Sequence, residues 1–380
     1  MDYRIVGKTN VSASLLGYGC MRFPTTADGE IDEVKAEKLL DTAYENGVNY
    51  FDTAYYYHSG KSEPFVGKVL SKYDRGSCYI ADKLPHWPVK TLDNAKRIFN
   101  KQLERLQTDY IDFYLLHSLD KAAWKRLSEL GVPEYCESLK AEGKIKYFGF
   151  SFHDDYEVFE EILTSRAWDF CQIQLNYMDT EHQAGMKGYE LAEKMGIPVI
   201  IMEPLKGGKL ATLPEDLTEE LKKHNPDASV ASWGFRWVAG LPNVKVVLSG
   251  MTTMEQLEDN LKTFSGFKPL TEEEQQIVAS LPEKIKRKVN NECTNCKYCM
   301  PCPSGVDIPK NFRVWNEYGM FRNKQAIAWQ WENEIDEDEK ASNCVACGQC
   351  EEACPQHIRI IEDLSRLQKE LDSVVESLKR

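Results

Sequence analysis

One rhythm runs through residues 1–265: a short apolar run, a turn, then a stretch with the period of an amphipathic helix. The runs are SLLGYGC (14–20), VNYFDTA (48–54), SCYIADKL (77–84) and YIDFYLLH (110–117), then IKYFGFSF (145–152), FCQIQLNY (170–177), PVIIMEPL (198–205) and VKVVLSGM (244–251). Most are β-rich and apolar on both faces, as parallel strands covered by helices must be. Helical segments fall between them at 32–46, 92–106, 154–164 and 181–195, with a longer stretch at 121–143 interrupted near Gly131-Val132-Pro133. Thr91 or Asp93 can cap the second of these, and Gly47 and Gly196 stop the first and last where φ > 0 is wanted. Eight βα units in about 250 residues predict an α/β chain folded as a (β/α)8 TIM barrel. The alternative, an open doubly wound sheet, would want a Gly-rich phosphate turn after the first strand, and GYGCMRFP is a poor one. The opening MDYRIVGKTNVSASLLG reads as a hairpin able to plug the barrel's N-terminal end.

The second constraint lies beyond the rhythm. Eight of the chain's 12 cysteines stand in two runs, CTNCKYCMPCP and CVACGQCEEACP, between Cys293 and Cys354. Three thiolates at two-residue spacing wind the backbone around one point, so they can face a compact inorganic cube. Structural zinc prefers two separated cysteine pairs, or cysteine mixed with histidine, and the only nearby histidine is His357. The spacing therefore favours iron–sulfur over zinc. A disulfide framework is weaker still, since MDYRIVGKTN is polar and unlike a secretory signal. The other four cysteines, Cys20, Cys78, Cys136 and Cys171, sit among apolar neighbours and read as buried structural thiols.

These features divide the chain into a barrel (1–270), a linking helix (271–290, begun by Thr271 with Glu274 as a capping box), a cysteine domain (291–360) and a closing helix (361–380). FRVWNEYGMF and KQAIAWQWENE, between the cysteine runs, read as helices; Ile360, Leu364, Leu367 and Leu371 give the last helix its apolar face. The net charge of −13 argues against nucleic acid or an anionic membrane as the main partner. No run of about 18 apolar residues occurs, so no membrane span is expected. A cytoplasmic protein is the expectation. The acidic run 332–339 reads as a solvated face, with docking of a basic redox partner as the minority reading.

Three predicted strands each carry an ionisable residue at or just past the C-terminal end, where barrel enzymes keep their chemistry. VNYFDTAYYYH gives Asp52 and Tyr57, YIADKL gives Lys83, and DFYLLHS gives His117. Singly, each reads as a turn cap, a surface charge or a hydrogen-bonded core group. Together they form a constellation. A phenol has a pKa of about 10; a nearby ammonium favours the phenolate. Asp52 can hold Lys83 charged and in place, and His117 can donate to a carbonyl oxygen. The implied reaction is hydride transfer to a carbonyl, with Tyr57 protonating the developing alkoxide.

The barrel resembles the aldo/keto reductase family over nearly its whole length, and Phe51–Gly67, with FDTA followed by E-x2-VG, is similar to that family's signature. The resemblance implies Asp52, Tyr57, Lys83 and His117 as the catalytic tetrad and a nicotinamide cofactor, NADP or NAD. It also implies Ser151 and Gln172 as contacts to the nicotinamide amide and Met202 at the position that normally stacks on that ring. The Pro204–Leu210 loop, with Leu205, Lys206, Gly207 and Lys209, matches the pyrophosphate loop; such loops after strands seven and eight often bind phosphate. Ser249 and Gly250 open the loop after the eighth strand, Gln256 stands where an arginine is common, and Asn260 matches an adenine contact. Phe152 replaces the asparagine usual after Ser151.

The cysteine region resembles the helical ferredoxin-type domains of iron–sulfur subunits, and the whole chain resembles the ferredoxin-fused branch of the family. In two-cluster ferredoxins the last cysteine of each motif serves the other cluster. That implies two [4Fe–4S] clusters, one on Cys293, Cys296, Cys299 and Cys354 and the other on Cys344, Cys347, Cys350 and Cys302. Only Met300 and Pro301 separate Cys299 from Cys302, one residue fewer than the usual spacing. The function this implies is reduction of an aldehyde or ketone, with the clusters relaying electrons, to a redox partner protein for example, or clamping the structure. The alternative is an electron-transfer module whose barrel site is vestigial or regulatory. Tyr55, Tyr56, His86 and Trp87 suggest an aromatic-lined mouth.

Overall fold

The computed structural model describes residues 1–7 and 11–379. They form two compact units, one of Met1–Lys206 with Ser232–Thr271 and one of Gly207–Ala231 with Glu272–Arg380.

In the first unit, β1 (Tyr3–Ile5) and β2 (Ser12–Ser14) pair antiparallel, Tyr3 opposite Ser14. Residues 8–10 of the predicted hairpin turn lie outside the described residues. Eight parallel strands then close a barrel: β3 (Leu16–Gly19), β4 (Tyr50–Asp52), β5 (Tyr79–Pro85), β6 (Ile111–Leu119), β7 (Ile145–Phe152), β8 (Phe170–Gln174), β9 (Val199–Met202) and β10 (Val244–Ser249). Neighbours in the barrel are neighbours in sequence, and β10 closes the ring on β3. All eight strand runs are present, and the open-sheet alternative falls.

Val6, Val11 and Ala13 of the hairpin share one buried cluster with Tyr50, Ala81, Phe113, Leu115, Phe170, Ile200, Val246 and Leu248 from the strands. The Arg4 guanidinium donates to the Ala239 and Val244 carbonyls just ahead of and at the start of β10. The hairpin thus supplies apolar side chains to the barrel interior, as expected of a plug.

Helix signals act where chemistry places them. The helix Leu92–Leu106 carries a capping box in which Thr91 and Asn94 satisfy each other's backbone N–H groups. Gly131 at φ +71° separates Lys121–Glu129 from Val132–Ala141. The segment predicted as helix from 181 begins only at Gly185, because Gly185 is left-handed and the chain first turns through Met186 N–H to Thr180 O. Gly67 on the helix Ser62–Leu70 lies against the Arg105 and Leu106 backbone, where a Cβ would come within 2.6 Å of the Arg105 carbonyl oxygen. Only glycine permits that approach.

The second unit is helical. Ile308–Phe321, Lys324–Asn333 and Ile360–Leu378 pack around Phe312, Trp315, Trp331, Leu364, Leu367 and Leu371, with Cys293, Cys299, Cys302, Cys344, Cys350 and Cys354 at the edge of that core. The segment 207–231 also belongs to this unit. Its helix Glu215–His224 is tied to Glu272–Lys286 through Glu220–Lys284 at 2.6 Å, and Lys209 reaches Glu317 at 2.9 Å. No described helix is long and apolar enough to cross a membrane.

Candidate active site and cluster sites

Asp52 ends β4 and Lys83 lies in the C-terminal half of β5, so the barrel register brings both to one end. The Lys83 Nζ donates to Asp52 Oδ1 at 2.5 Å and to the Thr53 carbonyl at 2.7 Å, with lysine and aspartate both buried. The same ammonium lies 5.0 Å from the Tyr57 ring centroid. His117 meets the Tyr57 ring edge to face, centroids 6.1 Å apart. All four residues of the predicted tetrad are therefore together.

Burial would strip the proton from Lys83, but Asp52 and Tyr57 prevail and hold its pKa above the ordinary range. Burial pushes the Asp52 carboxyl up, and Lys83 and Gln172 pull it back. Burial also raises the Tyr57 phenol, an effect that Lys83 opposes and Asp52 reinforces, so the phenol keeps its proton at neutral pH. His117 is pushed well below its ordinary value by burial and then by Lys83. It is a neutral imidazole.

A buried polar network lies behind Lys83, and sequence reasoning missed it. Glu63, Asp82 and Gln102 are all fully buried. Gln102 Nε2 donates to Asp82 Oδ2 at 2.8 Å, to the Lys83 carbonyl at 2.9 Å and to Glu63 Oε1 at 3.2 Å. Two N–H groups face three acceptors, while the Gln102 oxygen accepts from Tyr114 at 2.6 Å. Arg105 neutralises Glu63 at 2.8 Å, but among the described residues Asp82 forms no ion pair. Burial and the neighbouring Glu63 push the Asp82 pKa well up, so Asp82 carries the missing proton. The one signal in sequence was an acidic residue inside the apolar run YIADKL.

The residues matched to a nicotinamide cofactor divide into free and committed groups. Gln172 donates to Asp52 Oδ2 at 3.2 Å, and among the described residues its own buried Oε1 has no partner. His117 Nδ1 is likewise buried and unpartnered. Ser151 Oγ accepts the Ser118 N–H at 2.7 Å. A free acceptor beside the tetrad suits a carboxamide N–H, so these residues fit the cofactor. Met202 is partly buried against the barrel core, and Pro204 is buried. Lys206 is paired with Asp179 at 2.6 Å, and Lys209 with Glu317. Gln256 Oε1 accepts the Thr252 N–H at 2.8 Å and completes a capping box with Thr253. Asn260 donates to Ser249 Oγ at 2.9 Å.

In the second unit the cysteines border two cavities. One of about 210 Å³ is lined by Cys302, Cys344, Cys347 and Cys350, with Cys299 also at its wall. The narrower one is lined by Cys293, Cys296, Cys299 and Cys354. Among the described residues no three ligand side chains converge on a point where one ion could sit. Four or more cysteines line each cavity, and a [4Fe–4S] cube takes four thiolates, so the residues present fit such a group.

A closed parallel barrel with this constellation at the C-terminal ends of its strands defines an oxidoreductase of the aldo/keto reductase class. The profile of the aldo/keto reductase family matches residues 15–283, and that of the 4Fe-4S dicluster domain matches 292–358. The chain belongs to the aldo/keto reductase family and carries a C-terminal 4Fe-4S dicluster domain. It is 28% identical to the uncharacterized oxidoreductase YqkF of Bacillus subtilis over 74% of this chain and 96% of that one. The holo form of the aldo-keto reductase AKR11C1 from Bacillus halodurans superposes with a TM-score of 0.62 at 28% identity, covering 73% of this chain and 95% of that chain. An aldo-keto reductase of Klebsiella pneumoniae, solved in complex with NADPH, shares the fold at 22% identity and TM-score 0.61, covering 74% of this chain and 96% of that one.

Proposed function

We propose that this chain reduces an aldehyde or ketone to the alcohol in the cytoplasm, with NADPH or NADH as reductant. The observation that carries the reading is the buried Lys83–Asp52 ion pair beside a protonated Tyr57 and a neutral His117. When bound, the reduced nicotinamide supplies a hydride. Gln172 and Ser151 would hold its carboxamide, and the loops at 204–206 and 249–253 would hold its phosphates, with Asn260 toward the adenine.

Tyr57 gives its proton to the carbonyl oxygen as negative charge develops there. Lys83 stabilises the phenolate left behind, and Asp52 keeps Lys83 charged. His117, being neutral, can donate one N–H to the same oxygen and orient it without competing for the proton. Two [4Fe–4S] clusters would be held by Cys293, Cys296, Cys299 and Cys354, and by Cys344, Cys347, Cys350 and Cys302. A hydride carries two electrons at once and a cluster takes one, so carbonyl reduction itself needs neither cluster.

Nicotinamide oxidation by the anaerobically purified protein with a panel of aldehydes and ketones tests this. Tyr57→Phe should cut kcat by roughly 10²- to 10⁴-fold, the usual share of a positioned acid, with the cluster absorbance intact. Unchanged turnover would remove Tyr57 from its role.

A further inference from the structure

Three partly buried guanidinium groups of the first unit are each matched to a carboxylate. Arg75 holds Asp112 at 2.6 Å, Arg105 holds Glu63 at 2.8 Å, and Arg166 holds Glu137 at 3.4 Å. Arg126, on the helix that follows β6, differs. Its Nη2 donates to His86 Nδ1 at 2.8 Å and to the His86 carbonyl at 3.0 Å, and among the described residues its buried Nε, like that of Arg166, has no partner. Among the described residues no carboxylate pairs with it.

An arginine can only donate, so His86 Nδ1 presents its lone pair and the ring is neutral. Among the described residues the partners of the Arg126 guanidinium are thus a neutral ring and a backbone carbonyl. The nearby charges that His86 senses are Asp120 and Lys90. Asp120 caps its helix, accepting the Ala123 N–H at 2.6 Å, and among the described residues it forms no ion pair with Arg126.

This cation stands next to the reacting end of the barrel. Pro85 of β5 is in register with His117 of β6, and His86 and Trp87 follow at once. The Trp87 ring lies 5.3 Å from the His117 ring and 5.5 Å from Tyr56. Trp87 and Tyr56 are each more than 40% exposed, with relative exposures of 41% and 44%. A wall of rings thus leads from Tyr57 and His117 past Trp87 to His86 and the guanidinium. A ligand lying along it would have its carbonyl at Tyr57, an apolar body on Trp87 and its far end at Arg126.

Resting on the carbonyl-reductase reading, we propose that Arg126, positioned by His86, is an anion subsite, and that the substrate is an aldehyde or ketone bearing a carboxylate several bonds from its carbonyl. A charge-assisted bond to a carboxylate discriminates against a neutral isostere by roughly 10- to 100-fold.

The probes are 4-carboxybenzaldehyde and its neutral counterpart 4-formylbenzamide, compared by kcat/KM with the full, cluster-loaded chain. The wild type should favour the acid by about tenfold or more, and Arg126→Gln should erase that preference while changing the amide by less than about twofold. Arg126→Lys should restore part of it, which loss of folding would not. Equal rates for both aldehydes in the wild type, or an equal loss for both in Arg126→Gln, would overturn the subsite. Calorimetric binding of 4-(hydroxymethyl)benzoate to wild type and Arg126→Gln reads the subsite without turnover. Binding lost in the variant by a protein that reduces neither aldehyde would keep the subsite and sink the reductase reading. Equal binding to both would sink the subsite alone.

Discussion

The barrel mouth and the cysteine unit are built by opposite rules. At the barrel mouth the polar atoms mostly satisfy one another: Lys83 is held by Asp52 and Thr53, Glu63 by Arg105, and Asp82 by Gln102 and the Lys83 amide. In the cysteine unit none of the eight thiols forms a disulfide, and they ring cavities instead. A site that must steer a proton fixes its donors in advance. A site that holds an inorganic core leaves its ligands facing a space that the core fills. The pre-built site should therefore respond to single substitutions through buried charge.

Breaking the ion pair should give the largest stability effect. Asp52→Asn leaves the Lys83 ammonium buried without a carboxylate and should cost about 3–5 kcal/mol in urea unfolding. Glu33→Gln, which breaks the exposed Lys68–Glu33 pair of 2.6 Å, should leave the urea midpoint nearly unchanged. Similar losses for the two would mean that Lys83 is not held by Asp52.

Asp82→Asn should do far less, although Asp82 is as buried as Asp52. Asp82 keeps its proton in the fold and gives it up in the unfolded chain once pH passes about 4. The folded state then binds the extra proton, so wild-type stability falls as pH rises through that window. Asparagine has no such proton, so the variant should match the wild type near pH 4 and gain on it toward neutral pH. Urea midpoints at acid and neutral pH check this; a variant that loses ground as pH rises would show Asp82 to be ionised.

Much of this was legible in the chain. The eight strand runs, the capping box at Thr91 and the stop at Gly131 are local signals, and local chemistry obeyed them. Asp52, Tyr57, Lys83 and His117 could be picked because each sits near the end of a recognisable strand. The second layer was not legible. Glu63, Asp82 and Gln102 meet only because Gly67 lets two helices close, a contact spanning some 40 residues with no pattern to announce it. Arg126 was silent for a different reason: an arginine on a helix looks like a surface charge until the structure fails to supply its carboxylate. The association of 207–231 with the cysteine unit likewise rests on ion pairs such as Glu220–Lys284, 64 residues apart.

The central claim is that the barrel carries out carbonyl reduction with its own residues, independently of the iron–sulfur unit. Cys302→Ser removes one thiolate from the ring around the larger cavity and should lower the iron content from about eight atoms per chain toward about four. Carbonyl-dependent nicotinamide oxidation by that variant, measured anaerobically, should stay within about twofold of the wild type. Loss of that activity along with the iron, in a chain that still binds nicotinamide, would contradict the account.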